Sequence, residues 1–219
     1  MQLAKEIWFL LRKEVKLELR MNYAISGILL YLFSTIFIVY SAFRTVKPEA
    51  WNALFWIIVL FTSVSAIVKS FVQENGGRQL YFYSIVNPTA MILSKIIYNI
   101  LLLFLLSLLT WLGFVFIGGN PIRDAGQFIL ALFLGSVGFS ITFTFISAIA
   151  VKANNSSTLL AVLSFPLVIP ILLTLIKLTA NALRILNDTG IQRDVLILIA
   201  IDMLLLSMTF ILYPFLWRD

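Results

Sequence analysis

The sequence predicts an all-α polytopic membrane protein, in which six membrane-crossing helices follow an amphipathic helix at the interface. Six apolar stretches run from Tyr23 to Phe43, Asn52 to Val68, Ala90 to Ile117, Ala125 to Val151, Thr158 to Ile176 and Val195 to Trp217. Each is about long enough to cross a ~30 Å hydrocarbon core as a helix. The composition agrees, with 61% hydrophobic and 12% charged residues and a mean hydropathy of +1.03. Soluble domains carry roughly twice that share of charge. The spans use up the chain, so residues 1–219 read as a single transmembrane domain. No soluble catalytic or nucleotide-binding unit can fold from what remains, and any ATP-driven work must come from another polypeptide.

The first element is Met1 to Arg20, which lacks Gly and Pro. On a helical wheel Lys5, Arg12, Lys13, Lys16 and Arg20 share one arc about 100° wide. Leu3, Ile7, Leu10, Leu11 and Val15 lie opposite. This predicts an interfacial helix with its apolar side in the membrane and its basic side in water or among headgroups. Glu14 and Glu18, one turn apart, project from the apolar side. Lipid does not accommodate them there, so either they meet a basic protein neighbour or the helix rolls to let them reach water. The segment is not a cleavable signal, because its charges persist through Arg20.

Between spans two and three, residues 69–89 form a connection. Gly76-Gly77 is a turn signal, and Asn87-Pro88 closes the segment before span three. The stretch holding Leu80, Tyr81, Phe82, Tyr83 and Ile85 is too apolar to lie free in an aqueous phase. It either rests on the membrane surface or docks into a partner's groove.

Span four carries Ser136, Ser140, Thr144 and Ser147 beside Gly135 and Gly138, the composition of a close helix–helix interface. Span five contains Phe165-Pro166-Leu167-Val168-Ile169-Pro170. Its two prolines remove two backbone donors and free carbonyls near Val162 and Pro166. That predicts either a hinge or pathway lining, or a kink whose carbonyls neighbouring helices satisfy. In span six Asp202 is an intramembrane carboxylate, and so a functional candidate by default. Lys177 and Arg184 are its candidate counter-charges. A protonated, hydrogen-bonded Asp202 that holds spans five and six together is the alternative. Met91, Met203 and Met208 read as gap-fillers in apolar packing.

Ten basic residues fall on the side of the termini and six on the other, five of the ten before span one. The positive-inside rule therefore places both termini in the cytoplasm. The net charge of +6 is read through the same rule, as headgroup and loop charge rather than nucleic-acid binding. The chain has no Cys and no His. Thiolate chemistry, His-based triads and proton relays, and His ligation of haem iron are thereby excluded. No catalytic residue and no metal site is predicted, and no cofactor is expected in this chain.

Several of these features together resemble one family. They are the basic amphipathic lead helix, Gln73-Glu74-Asn75-Gly76-Gly77 with Leu80, Asn87-Pro88 with Lys95, and the run Ser164 to Leu173. The chain resembles, over its whole length, the CcmB family, the membrane subunit of the haem exporter of cytochrome c maturation. The resemblance implies a type-two ABC exporter permease architecture in the bacterial inner membrane. It implies an ABC ATPase subunit that binds the ATP, with Glu74, Gly76, Gly77, Leu80, Tyr81, Phe82 and Tyr83 as its coupling element. A haem-handling membrane subunit, a small one-span subunit and a second copy of this chain complete the expected partners. Haem would be a substrate of the complex, and the subunit would couple ATP hydrolysis to haem delivery or to release of the loaded chaperone. The competing readings are a permease of the same architecture for another amphipathic substrate, such as a lipid or glycan, and an ATP-independent carrier. A membrane enzyme is disfavoured by the single intramembrane carboxylate.

Overall fold

The computed structural model describes residues 2–20, 22–43, 46–72, 87–152, 156–186 and 190–218. Among them the secondary structure is entirely helical: α1 Gln2–Arg20, α2 Asn22–Ala42, α3 Pro48–Val72, α4 Pro88–Gly118, α5 Ala125–Lys152, α6 Ser156–Ala182 and α7 Ile191–Arg218. Five of these, α3 to α7, are long and apolar enough to cross a membrane, and α2 adds a shorter apolar stretch, Ser26–Ala42.

Local chemistry sets the ends. Pro88 opens α4 behind Asn87, whose side chain accepts from the Thr89 N–H at 3.0 Å and the Thr89 hydroxyl at 2.7 Å. Such an N-cap supplies a partner for a donor that the helix leaves orphaned. Asp124 does the same for α5, accepting from the Gln127 N–H at 3.0 Å. Gly119, at φ 83, ends α4 in a conformation that costs a side-chain-bearing residue more. Beyond α6, Arg184 takes the left-handed conformation at φ 56, and the Ile185 N–H returns to the Ala180 carbonyl at 2.9 Å.

Aromatic packing shows how the helices alternate. Tyr40 from the end of α2, Trp51 and Phe55 from the start of α3, Phe114 from the end of α4 and Phe128 from the start of α5 form one cluster. Trp51 stacks on Phe55 at 5.4 Å and meets Phe114 edge-on at 5.3 Å. Such pairs add about 1 kcal/mol each beyond the area they bury. The end of α6 joins this side, because the Arg123 and Asp124 N–H groups both donate to the Ala182 carbonyl at 3.0 Å. The chain therefore runs back and forth. One side, here the far side, gathers these ends. The other, the near side, holds the start of α2, the end of α3, the start of α4, the end of α5 and the start of α6.

At the centre is α5, which touches α3, α4, α6 and α7. Lipid offers helices no hydrophobic drive to associate, so close approach and good packing must hold them. The small residues of α5 allow it. Ser136, Ser140, Thr144 and Ser147 are all buried. Gly135 admits the Trp56 ring and Leu175, and Gly138 admits Asp202 and Ile171.

The lead helix differs from expectation. It packs along α4 and, less extensively, α2. Leu10 and Glu14 are buried in that packing, while Trp8, Phe9 and Val15 face outward. Part of the apolar side that the wheel assigns to lipid, around Leu10, is used against protein, because α4 offers it a helical surface to pack on.

Candidate functional site

Of the residues singled out from the sequence, those that the structure describes lie apart from one another. Glu14 is buried on the inward side of α1, with Lys13 Nζ 3.4 Å from its Oε1. The side chain of Glu18 lies outside the described residues. So do Glu74, Gly76, Gly77, Leu80, Tyr81, Phe82 and Tyr83. Pro166 and Pro170 are both exposed, on an outward face of α6 with Phe165, Ile169 and Leu173. The helix runs through both without a break. Thr174 bonds back through its hydroxyl to the Pro170 carbonyl at 2.8 Å, within the same turn.

Asp202 is 6% exposed and faces α5. A methyl group built on Gly138 would lie 2.7 Å from its Oδ1 and 3.3 Å from Ile171. Among the described residues neither carboxyl oxygen has a hydrogen-bond partner. The sequence reading offered Lys177 as its counter-charge, but Lys177 bonds to Asp194 Oδ1 at 3.2 Å. Depth explains the difference. Because α7 begins at Ile191 rather than Val195, Asp202 is about 16 Å along it, whereas Asp194 is about 5 Å along and level with Lys177. Arg184 is exposed beyond the end of α6. It is thus Asp194 that ties the far-side ends of α6 and α7.

This geometry predicts a steric test. Gly138→Ala should cost about 1–3 kcal/mol, since the methyl meets a carboxylate in a packed interface. Asp202→Asn keeps the shape and should hold near-wild-type thermal stability in detergent. Asp202→Leu, bulkier and branched toward α5, should fall with Gly138→Ala. Equal stability of all three variants would remove the joint.

One polar seam was read from the sequence on one side only, through Ser140 and Thr144, and a second was not read at all. The first lies between α4 and α5. Asn99 donates to the Thr144 hydroxyl at 2.8 Å, and the Ser140 hydroxyl to the Ile96 carbonyl at 2.9 Å. Lys95, counted in the sequence among the charges of the near-side loops, is 3% exposed one turn before Asn99. The second is a far-side clamp. Asn52 on α3 donates to the Ile176 carbonyl at 2.8 Å and accepts from the Thr179 hydroxyl at 2.7 Å. Trp56 Nε1 donates to the same hydroxyl at 2.9 Å, and Gln127 Nε2 to the Leu178 carbonyl at 3.1 Å. The sequence signal was the alternating polar residues Lys177, Thr179 and Asn181, which read as the end of a span until partners are known.

Chemically, these groups bond helix to helix. Among the described residues no three Asp, Glu, His or Cys side chains gather in a way that could hold a metal ion.

The comparisons with known proteins fit an assembly component of this kind. The family model of the CcmB protein matches residues 5–216. No curated protein matches the sequence. The family's role is that of a membrane component of the haem exporter in cytochrome c maturation, within an ABC transporter complex. This multi-pass membrane protein belongs to the CcmB family.

Proposed function

We propose that the chain is the permease subunit through which an ABC ATPase drives haem delivery, or release of the haem-loaded chaperone, in cytochrome c maturation. The observation that carries the reading is the family match over residues 5–216 of a chain whose described residues are almost all helix. In this reading the protein sits in the bacterial inner membrane as six spans of type-two exporter architecture, with its near side and both termini in the cytoplasm. The excess of basic residues on that side supports the orientation. The ATP is bound by the partner, and haem is handled as substrate by the complex, with a haem-handling membrane subunit, a one-span subunit and a second copy of this chain alongside.

Residues 69–89 are the coupling element, and Leu80, Tyr81, Phe82 and Tyr83 supply the apolar anchor. Burying two aromatic rings in a partner's groove is worth a few kcal/mol, roughly 100-fold in affinity or more. Tyr81→Asp with Phe82→Asp should therefore detach the ATPase in co-purification while membrane insertion stays normal. A normal yield of bound ATPase would refute the docking role. Pull-down of the intact complex, with its haem content, separates this function from export of a lipid or glycan.

A further inference from the structure

The outward face of α1 has an unusual make-up. Trp8 is 70% and Phe9 71% exposed, and Val15 is exposed as well. Lys5, Arg12 and Lys16 are also exposed. On the wheel these six occupy one continuous arc about 120° wide, in the order Val15, Trp8, Arg12, Lys5, Lys16, Phe9. The three acids of the helix, Glu6, Glu14 and Glu18, all map outside it, so the arc carries three positive charges and no negative one.

The position of the helix narrows what this face can meet. Only Met21 separates α1 from α2, which enters the apolar zone by Ser26. The C-terminal end of α1 is thus held where α2 enters the apolar zone, and the rest of the helix packs along α4 from there. Apolar rings beside ammonium and guanidinium groups suit the membrane boundary. The rings settle at the level of the headgroups and upper acyl chains, and the cations meet phosphates. Neutral phospholipid satisfies the rings alone. The unbroken positive charge calls for a net negative headgroup.

We propose that the outward arc of α1 is a binding face for anionic phospholipid headgroups of the leaflet in which α2 begins. Trp8 and Phe9 fix the depth, and Lys5, Arg12 and Lys16 select the charge. The inward face of α1 is held by α4, so lipid bound at the arc bears on the bundle through α1.

The chain has no cysteine, so Phe9→Cys gives a single labelling site on the full-length protein. A fluorophore there is read in vesicles of phosphatidylcholine and phosphatidylglycerol, with one or the other lipid brominated at equal total bromine. Each basic side chain near an anionic surface is worth about a fivefold preference. Quenching by brominated phosphatidylglycerol should therefore exceed quenching by brominated phosphatidylcholine about fivefold or more. Lys5→Gln with Arg12→Gln and Lys16→Gln should bring the ratio to about one, with an unchanged elution profile. Lys5→Arg with Arg12→Lys and Lys16→Arg should retain the preference. Equal quenching by both lipids in the parent, or retained preference in the glutamine variant, would overturn the proposal. So would weak quenching by either lipid, and so would dipolar coupling between nitroxides at position 9, which would assign the face to a second copy of the chain.

Discussion

Gly135→Ala should be among the most destabilising single-methyl changes in the bundle. A methyl at this position would sit 2.9 Å from two carbons of the Trp56 ring and 3.0 Å from Leu175 Cδ1. Trp56 has nowhere to go. It is fully buried, packs edge-on against Phe55 at 5.4 Å and Phe139 at 6.3 Å, and donates its Nε1–H to Thr179. Relief would require α5 to move away from α3 and α6 together, loosening the far-side clamp. Overpacking of this kind costs about 1–3 kcal/mol, and loss of the indole hydrogen bond about 1 kcal/mol more. Thermal unfolding in detergent checks this. Gly135→Ala combined with Trp56→Phe, which removes the atoms in conflict, should recover part of the loss. No recovery would mean that the glycine matters for another reason.

The Lys177–Asp194 pair gives the second large effect, and its two halves should behave unequally. Asp194 is 3% exposed, whereas Lys177 retains 34% of its side-chain exposure. Lys177→Met leaves a buried carboxylate without its cation, a loss of about 3 kcal/mol. Asp194→Leu leaves a lysine that can extend toward water, and should cost about 1 kcal/mol. The double variant should be more stable than Lys177→Met alone. The three proteins' unfolding midpoints test this. Similar losses from either single change would show that the pair is merely an exposed contact.

Where the sequence was read well, and where it was not, follows from how residues acquire partners. Apolar runs of about a bilayer's length signal themselves, so the six stretches fall on α2 to α7, of which α3 to α7 are long and apolar enough to cross. The small-residue face of α5 is equally local, since Gly and Ser reveal an interface without naming the other side. The failures concern polar residues whose meaning depends on the other side. The fifth stretch seemed to stop at Ile176 because Lys177, Thr179 and Asn181 look like solvent residues. Asn52 and Trp56, more than a hundred positions earlier, supply the partners that carry the helix to Ala182. Asp194 lies one residue outside the sixth stretch, so the candidates for Asp202 included Lys177, which bonds to Asp194 instead. The wheel of α1 gave its pattern and its outward basic side but not the helix that covers Leu10 and Glu14, because a wheel shows that a helix has an apolar side and not whether lipid or protein covers it.

The position of the clamp has a mechanical consequence for α6. The cross-helix bonds described for it fall between Ile176 and Ala182. From Ile176 back to Ser156 the helix is a lever about 30 Å long. Pro166 and Pro170 lie midway along it, where missing backbone bonds lower the resistance to bending. The buried side of this stretch, with Val168 and Ile171, packs on α5, so the softened part is the outward face that carries the prolines. A displacement imposed at Ser156 would be resisted at Ile176 and taken up as curvature at the prolines, leaving the far-side ends nearly still.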